Sequence, residues 1–221
     1  MFLVIVSITF LVFKTMLEYI NEDDKMQIEI ERLNEEELTK LYHDRIIYDF
    51  PEAEVKSLSL MKKLMKENNY IVLLFKINHL PVAYTILASL KNSSLVLLDY
   101  FAVYPSYRGH GVGGKILSCM KKELQEYDGV LLEVENPFLS DIETRFLKER
   151  RIAFYLRSGV IHTHFRTSTQ NVPYQILFYP IQKKKLTEKE TKEGMDAFYS
   201  YFFPEEIIEI RQSYEYKKEE I

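Results

Sequence analysis

The stretch Leu98-Asp-Tyr-Phe-Ala-Val-Tyr-Pro-Ser-Tyr-Arg-Gly-His-Gly-Val-Gly-Gly-Lys-Ile-Leu117 passes from a strand-like apolar run, through a proline turn, into a glycine-dense loop that opens an amphipathic helix. A loop that wraps a pyrophosphate must bring several backbone N–H groups to one point, which side chains would obstruct. The glycines at 109, 111, 113 and 114 meet that need. Directly after them Lys115, Ile116 and Leu117 start a helix whose unpaired N–H groups and positive dipole end face the same point.

Upstream of this stretch, Gln27 to Leu33 alternates like a strand, and Asn34 followed by Glu35, Glu36 and Glu37 reads as a helix start that Asp49-Phe-Pro breaks. Leu60, Met61, Leu64 and Met65 form a helical stripe. Tyr70 to Ile77, Pro81 to Leu90 and Leu95 to Val103 then read as three antiparallel strands. Downstream, the pattern predicts a helix from Gly114 to about Glu126, a strand Val130 to Glu135 and a helix from about Ile142 to Arg157. A strand pair follows, Val160 to Arg166 with Tyr174 to Tyr179. This is an α+β order with a mixed, mostly antiparallel central sheet flanked by helices. The charged segment Lys183 to Glu193 reads as a linker or solvated helix start. Met195, Phe198, Tyr199, Tyr201 and Phe202 form an aromatic helix after it, broken at Pro204, as a C-terminal extension that packs on the domain or forms a homodimer contact.

Composition narrows the function classes. The 221 residues carry a formal charge of −4, so no basic field attracts nucleic acid. The single cysteine, Cys119, excludes an intrachain disulfide and a Cys-based zinc site, and it fits a reducing, cytoplasmic setting. Phe2 to Phe13 is apolar apart from Ser7 and Thr9. It is shorter than the ~20 residues a spanning helix needs unless it runs on to Ile20 past Lys14. The expected organisation is therefore an apolar extension at 1–25, a domain at 26–182 and a charged linker with an aromatic helical tail at 183–221. The extension is a membrane anchor, a packed helix, or a segment upstream of a start at Met26.

Gly109, Gly111 and Gly114 also satisfy the dinucleotide pattern G-x-G-x-x-G. That loop follows its strand at once and opens a series of parallel units, whereas here Tyr104-Pro-Ser-Tyr-Arg intervenes and antiparallel strands come first. The segment instead resembles motif A of the GNAT (GCN5-related) N-acetyltransferase superfamily, R/Q-x-x-G-x-G/A, with Arg108, Gly111 and Gly113 in the defining positions. A second match, Arg151-Ile-Ala-Phe-Tyr-Leu-Arg-Ser-Gly-Val160, resembles the family's N-x-x-A-x-x-x-Y-x-x-x-G-F helix end. It departs in having Lys148 for Asn and Val160 for Phe. The resemblance covers roughly Met26 to Ile181.

It implies a GNAT fold and direct transfer of an acetyl group from acetyl-CoA to a small-molecule or peptide amine in a ternary complex. A catalytically silent acyl-CoA-binding module is the alternative. It further implies that CoA is held by Phe101, Ala102, Val103, Arg108, Gly109, His110, Gly111, Val112, Gly113, Gly114 and Lys115, with no metal. Within that set, Arg108 and Lys115 face the pyrophosphate, and a backbone N–H of Phe101 to Val103 serves the oxyanion.

An amine attacks a thioester only as the free base, so a carboxylate or ordered water must take its proton. Asp99 precedes Phe101 and Val103 on one face by the period of two. Polyamine-acetylating members have an acidic residue at the matching place, which implies a base role; an aspartate that pairs near the strand is the alternative. Glu133 and Glu135 share a strand face and compete for the same role, or form a salt-bridged surface. Tyr155, four residues before Gly159, matches the family tyrosine that protonates the CoA thiolate; otherwise it is a core aromatic. His162 and His164 have ligand-like spacing without a third ligand nearby.

Overall fold

The computed structural model describes residues 27–139, 142–169 and 172–202. The apolar extension at 1–25 and the segment from Pro204 onward lie outside them. Among the described residues no helix is long and apolar enough to cross a membrane.

Strand β1 (Ile28–Arg32) leads into α1 (Glu35–Leu41), which continues through a widened turn, Tyr42–Ile46, and a last turn, Ile47–Asp49. Asn34 closes the start of α1 by a capping box. Its side chain accepts from the N–H groups of Glu36 and Glu37, and the Glu37 carboxylate accepts from the Asn34 N–H. Next come α2 (Leu58–Lys66), β2 (Tyr70–Ile77), β3 (Leu80–Ser89) and β4 (Leu95–Val103). The second half holds α3 (Val112–Glu123), β5 (Gly129–Glu135), α4 (Ile142–Arg157), β6 (Ile161–Thr169), β7 (Val172–Pro180) and α5 (Glu188–Phe202).

The seven strands form one sheet in the order β1-β2-β3-β4-β5-β7-β6. Every pairing is antiparallel except β4 with β5. Each face buries its own apolar cluster. On one face Leu38, Leu41 and Ile46 of α1, Met61 and Leu64 of α2, and Met195, Phe198 and Tyr199 of α5 pack over Tyr84, Ile86, Tyr100 and Leu131. On the other, Val112, Ile116, Leu117 and Met120 of α3 with Ile152 and Tyr155 of α4 cover Phe75, Val96, Leu98 and Leu132. Alternate residues of each strand serve opposite clusters, as the pleat requires.

Two boundaries differ from the sequence reading. Helix α3 begins at Val112, so Gly113 and Gly114 lie in its first turn. Gly113 is small because α4 is close: a Cβ there would meet the Phe154 ring at 3.0 Å. Helix α5 starts inside the charged segment at 183–193. There Thr187 and Glu190 form a second capping box: the Glu190 carboxylate accepts from the Thr187 N–H at 2.8 Å, and the Thr187 hydroxyl accepts from the Glu190 N–H at 3.2 Å. Its aromatic side then sinks into the first face. A Cβ at Gly194 would lie 2.9 Å from Leu95 Cδ1, so the helix sits directly on β4 and β5.

Candidate active site

Beyond β4 the chain turns through Pro105–Tyr107 and enters the glycine loop. Gly109 (φ +83°) and Gly111 (φ +73°) adopt the left-handed conformation, which costs a side-chain-bearing residue about 1–2 kcal/mol. Gly111 is the N-cap of α3, no side chain caps that helix, and no carboxylate lies in its first turn. The first-turn N–H groups therefore point outward with no internal acceptor, the arrangement that receives an anion. His110 in the loop is exposed, as is Lys115 in the first turn.

Strands β4 and β5 pair from Leu95 with Gly129 to Leu98 with Leu132, and there the ladder stops. A gap opens between their C-terminal halves beside the glycine loop. The Tyr104 N–H bonds to the Val82 carbonyl on the β3 side. By strand alternation the N–H groups of Phe101 and Val103 face the gap, while that of Ala102 faces β3. Arg108, 55% exposed, donates from Nε to the Val103 carbonyl at 2.7 Å and places Nη2 3.5 Å from Asp49. It thus straps the loop to the end of β4. Asp49 is nearly buried and also accepts from Arg45 at 2.6 and 3.1 Å and from the Tyr84 hydroxyl at 3.0 Å.

Asp99 stands where the ladder ends, but not on the face expected. Leu98 pairs with Leu87 and Tyr100 with Ile86, leaving Asp99 as the extra residue of a β-bulge. The bulge turns Asp99 and Tyr100 to the same side, that of α1, α2 and α5. Phe101 and Val103 face α3 and α4 instead. The carboxylate receives both a 2.7 Å and a 2.9 Å contact from Lys56 Nζ, and the Tyr70 hydroxyl donates to it. Burial and that carboxylate hold the Tyr70 phenol well above its usual range, so it remains a donor.

Glu133 and Glu135 face the same side as Asp99 across the gap. Glu133 accepts from the Tyr199 hydroxyl of α5 and from Thr167 at 3.1 Å. Glu135 pairs with Lys148 at 2.6 Å, so the position that departs from the family pattern supplies a counter-ion to the gap. Glu54 is raised by desolvation and then by Glu135, against a lowering by Arg151. Tyr174 is pushed up to about 12 by burial and by Glu133, Glu135 and Glu54.

On the opposite face Tyr155 is buried on α4 against Phe154, their ring centroids 5.2 Å apart. Burial pushes its phenol up to about 12, with Arg151 pulling the other way. The rings of His162 and His164 stack at 6.1 Å, and the described residues contain no group of three or more His, Cys, Asp or Glu able to hold a metal. Cys119 packs on the second cluster.

Lys56, Tyr70, Asp49 and Tyr199 were not among the residues singled out by sequence. Asp49 alone left a local signal, its i,i+4 spacing from Arg45 on a helix.

The chain matches no family model. It is 31% identical over 121 residues to the Bacillus subtilis (strain 168) protein named "Putative acetyltransferase YjbC", a span of 55% of this chain and 57% of that relative. Among solved structures, a GNAT-family protein of Bacteroides thetaiotaomicron superposes with a TM-score of 0.62 at 17% identity, covering 79% of this chain and 97% of that one. Salmonella typhimurium yncA, solved with its cofactor acetyl-CoA, superposes with a TM-score of 0.50 at 12% identity, covering 73% of this chain and 98% of its own. The resemblance of the glycine loop to the GNAT superfamily is borne out, and the chain carries the GNAT fold.

Proposed function

We propose that the protein is an N-acetyltransferase that moves an acetyl group from acetyl-CoA to an amine by direct attack in a ternary complex. The observation that carries this reading is the open start of α3, behind Gly109 and Gly111, placed beside a gap between β4 and β5 that holds a carboxylate. The pyrophosphate of CoA would take the N–H groups of the α3 first turn, with Lys115 adding charge. The pantetheine arm would then run along the free N–H groups of β4. Those of Phe101 and Val103 face the gap, where one can stabilise the oxyanion of the tetrahedral intermediate.

Base and acid stand on opposite sides of the sheet. Asp99 faces the side of α1, α2 and α5, from which the amine would approach. Tyr155 lies on the side of α3 and α4, and its raised value keeps it protonated through the neutral range, the state needed to protonate a departing thiolate. Glu133 and Glu135 border the same gap and keep an acceptor ammonium close to Asp99.

A catalytically silent acyl-CoA-binding module is favoured by one observation: Lys56 and Tyr70 already engage the Asp99 carboxylate. Calorimetry with acetyl-CoA, followed by a thiol-release screen on polyamines, aminoglycosides, amino acids and N-terminal peptides, separates the two. The transferase reading expects binding and thiol release, with Asp99→Asn lowering turnover about 100-fold while CoA affinity holds. Binding without release on any amine class supports the silent module. Absence of acetyl-CoA binding overturns both.

A further inference from the structure

The amine seated at the candidate base belongs to the chain itself. Lys56 Nζ lies 2.7 and 2.9 Å from the two Asp99 carboxylate oxygens and 5.4 Å from the centroid of the Tyr100 ring. Its backbone fixes it there. The Lys56 N–H donates to the Tyr100 hydroxyl at 2.9 Å, and that hydroxyl donates to the Glu54 carbonyl at 2.7 Å, pinning Glu54 to Lys56 onto the bulge residue next to Asp99. The pair is partly sheltered, with side chains 22% and 15% exposed, yet retains enough solvent contact to exchange protons.

These are the requirements of an acceptor: a primary amine at hydrogen-bond distance from the base, at the end of the β4–β5 ladder, held by more than its own flexible stem. We propose that Lys56 is an acetylation site of the protein, modified in cis by bound acetyl-CoA when no other acceptor fills the gap. This rests on the transferase reading above. One proton of the ammonium passes to Asp99 and on to solvent, leaving neutral Nζ to attack the thioester carbonyl carbon. The C–N bond forms and the C–S bond breaks with its electron pair on sulfur. The second proton lost by nitrogen balances the one taken by the departing thiolate. The products are ε-acetyl-lysine, CoA thiol and one released proton. Acetylation removes the Lys56 charge, and with it the ion pair that occupies Asp99.

The test incubates the purified full-length chain with acetyl-CoA alone and follows acetylation by intact mass and peptide mapping. Lys56 is expected to be modified at least about tenfold faster than the exposed Lys63, Lys66 and Lys189, at a rate independent of protein concentration. In Asp99→Asn that preference should vanish while acetyl-CoA binding by calorimetry persists, the binding showing that the variant is folded. A Lys56 left unmodified in protein that binds acetyl-CoA overturns the inference, and thiol release with an added amine in that same protein leaves the transferase reading standing. A rate that rises with protein concentration, or equal modification of Lys56 in folded Asp99→Asn, also overturns it. Protein that does not bind acetyl-CoA removes both.

Discussion

Helices α1 and α3 both begin at the edge of the sheet, and their first turns are built in opposite ways. Helix α1 answers its own positive end: Asn34 and Glu37 form a capping box, and Glu35 and Glu36 add negative charge. Helix α5 repeats the device with Thr187 and Glu190, and Ser57 caps α2 by accepting from the Leu60 N–H. Helix α3 has a left-handed glycine at its N-cap, no side-chain acceptor and a lysine in its first turn. A capping residue contributes about 1 kcal/mol, so leaving one helix start open forgoes stability that the others keep. What is gained is a set of oriented donors for an external anion.

The largest effect expected from breaking this contrast comes from Gly111→Val. Nothing lies within 4 Å of the position a Cβ would take, so the change acts through the backbone alone, forcing a β-branched residue out of the left-handed region. Acetyl-CoA affinity by calorimetry should fall about 100-fold, roughly 2.7 kcal/mol. Unchanged affinity would mean that the loop conformation does not organise the donor site.

A smaller loss follows from giving α3 the chemistry of α1. Lys115→Glu places a carboxylate in its first turn, as Glu37 does for α1. Acetyl-CoA binding should weaken about tenfold, and the affinity of the variant should improve as salt is raised. The unliganded protein should keep its stability to within about 0.5 kcal/mol, because the site is exposed.

The open helix start was legible in sequence because its causes are local: glycine spacing, a preceding proline turn and an amphipathic run. The capping box at Asn34 and the limits of β4 and α4 were legible for the same reason. The acceptor side was not. The period of two places Asp99 with Phe101 and Val103, but one inserted residue in β4 shifts the phase, and a bulge leaves no mark in the alternation of so short a run. Its partners Tyr70 and Lys56 are 29 and 43 residues away, and Tyr199 reaches Glu133 from 66 residues on. Contacts at such separation are products of the fold. Likewise Gly113 resembles a phosphate glycine in sequence, yet the Phe154 ring packed against it also demands the missing side chain.

The converse of the α3 variants is Asn34→Ala. It removes the acceptor for two N–H groups of α1 and should lower unfolding free energy by about 1 kcal/mol in denaturant melts, leaving acetyl-CoA affinity unchanged. A change in that affinity would show that the α1 start is coupled to the donor loop, which the geometry does not require.

The smallest expected effect lies at the start of α5 and is read through pH. Glu190 is held down to about 2, first by the Lys183 ammonium and then by the Thr187 N–H and hydroxyl. A carboxylate depressed in the folded state contributes its stability in full above its unfolded value, near 4.3, and loses it as pH falls through that window toward about 2. The group is fully exposed, so the contribution is small and weakened by salt. Glu190→Gln should therefore melt slightly below the parent protein at pH 6, and the two curves should converge toward pH 2. A constant difference across that range would assign the role of Glu190 to neutral hydrogen bonding within the box, and the sensitivity to its charge would then be absent from α5.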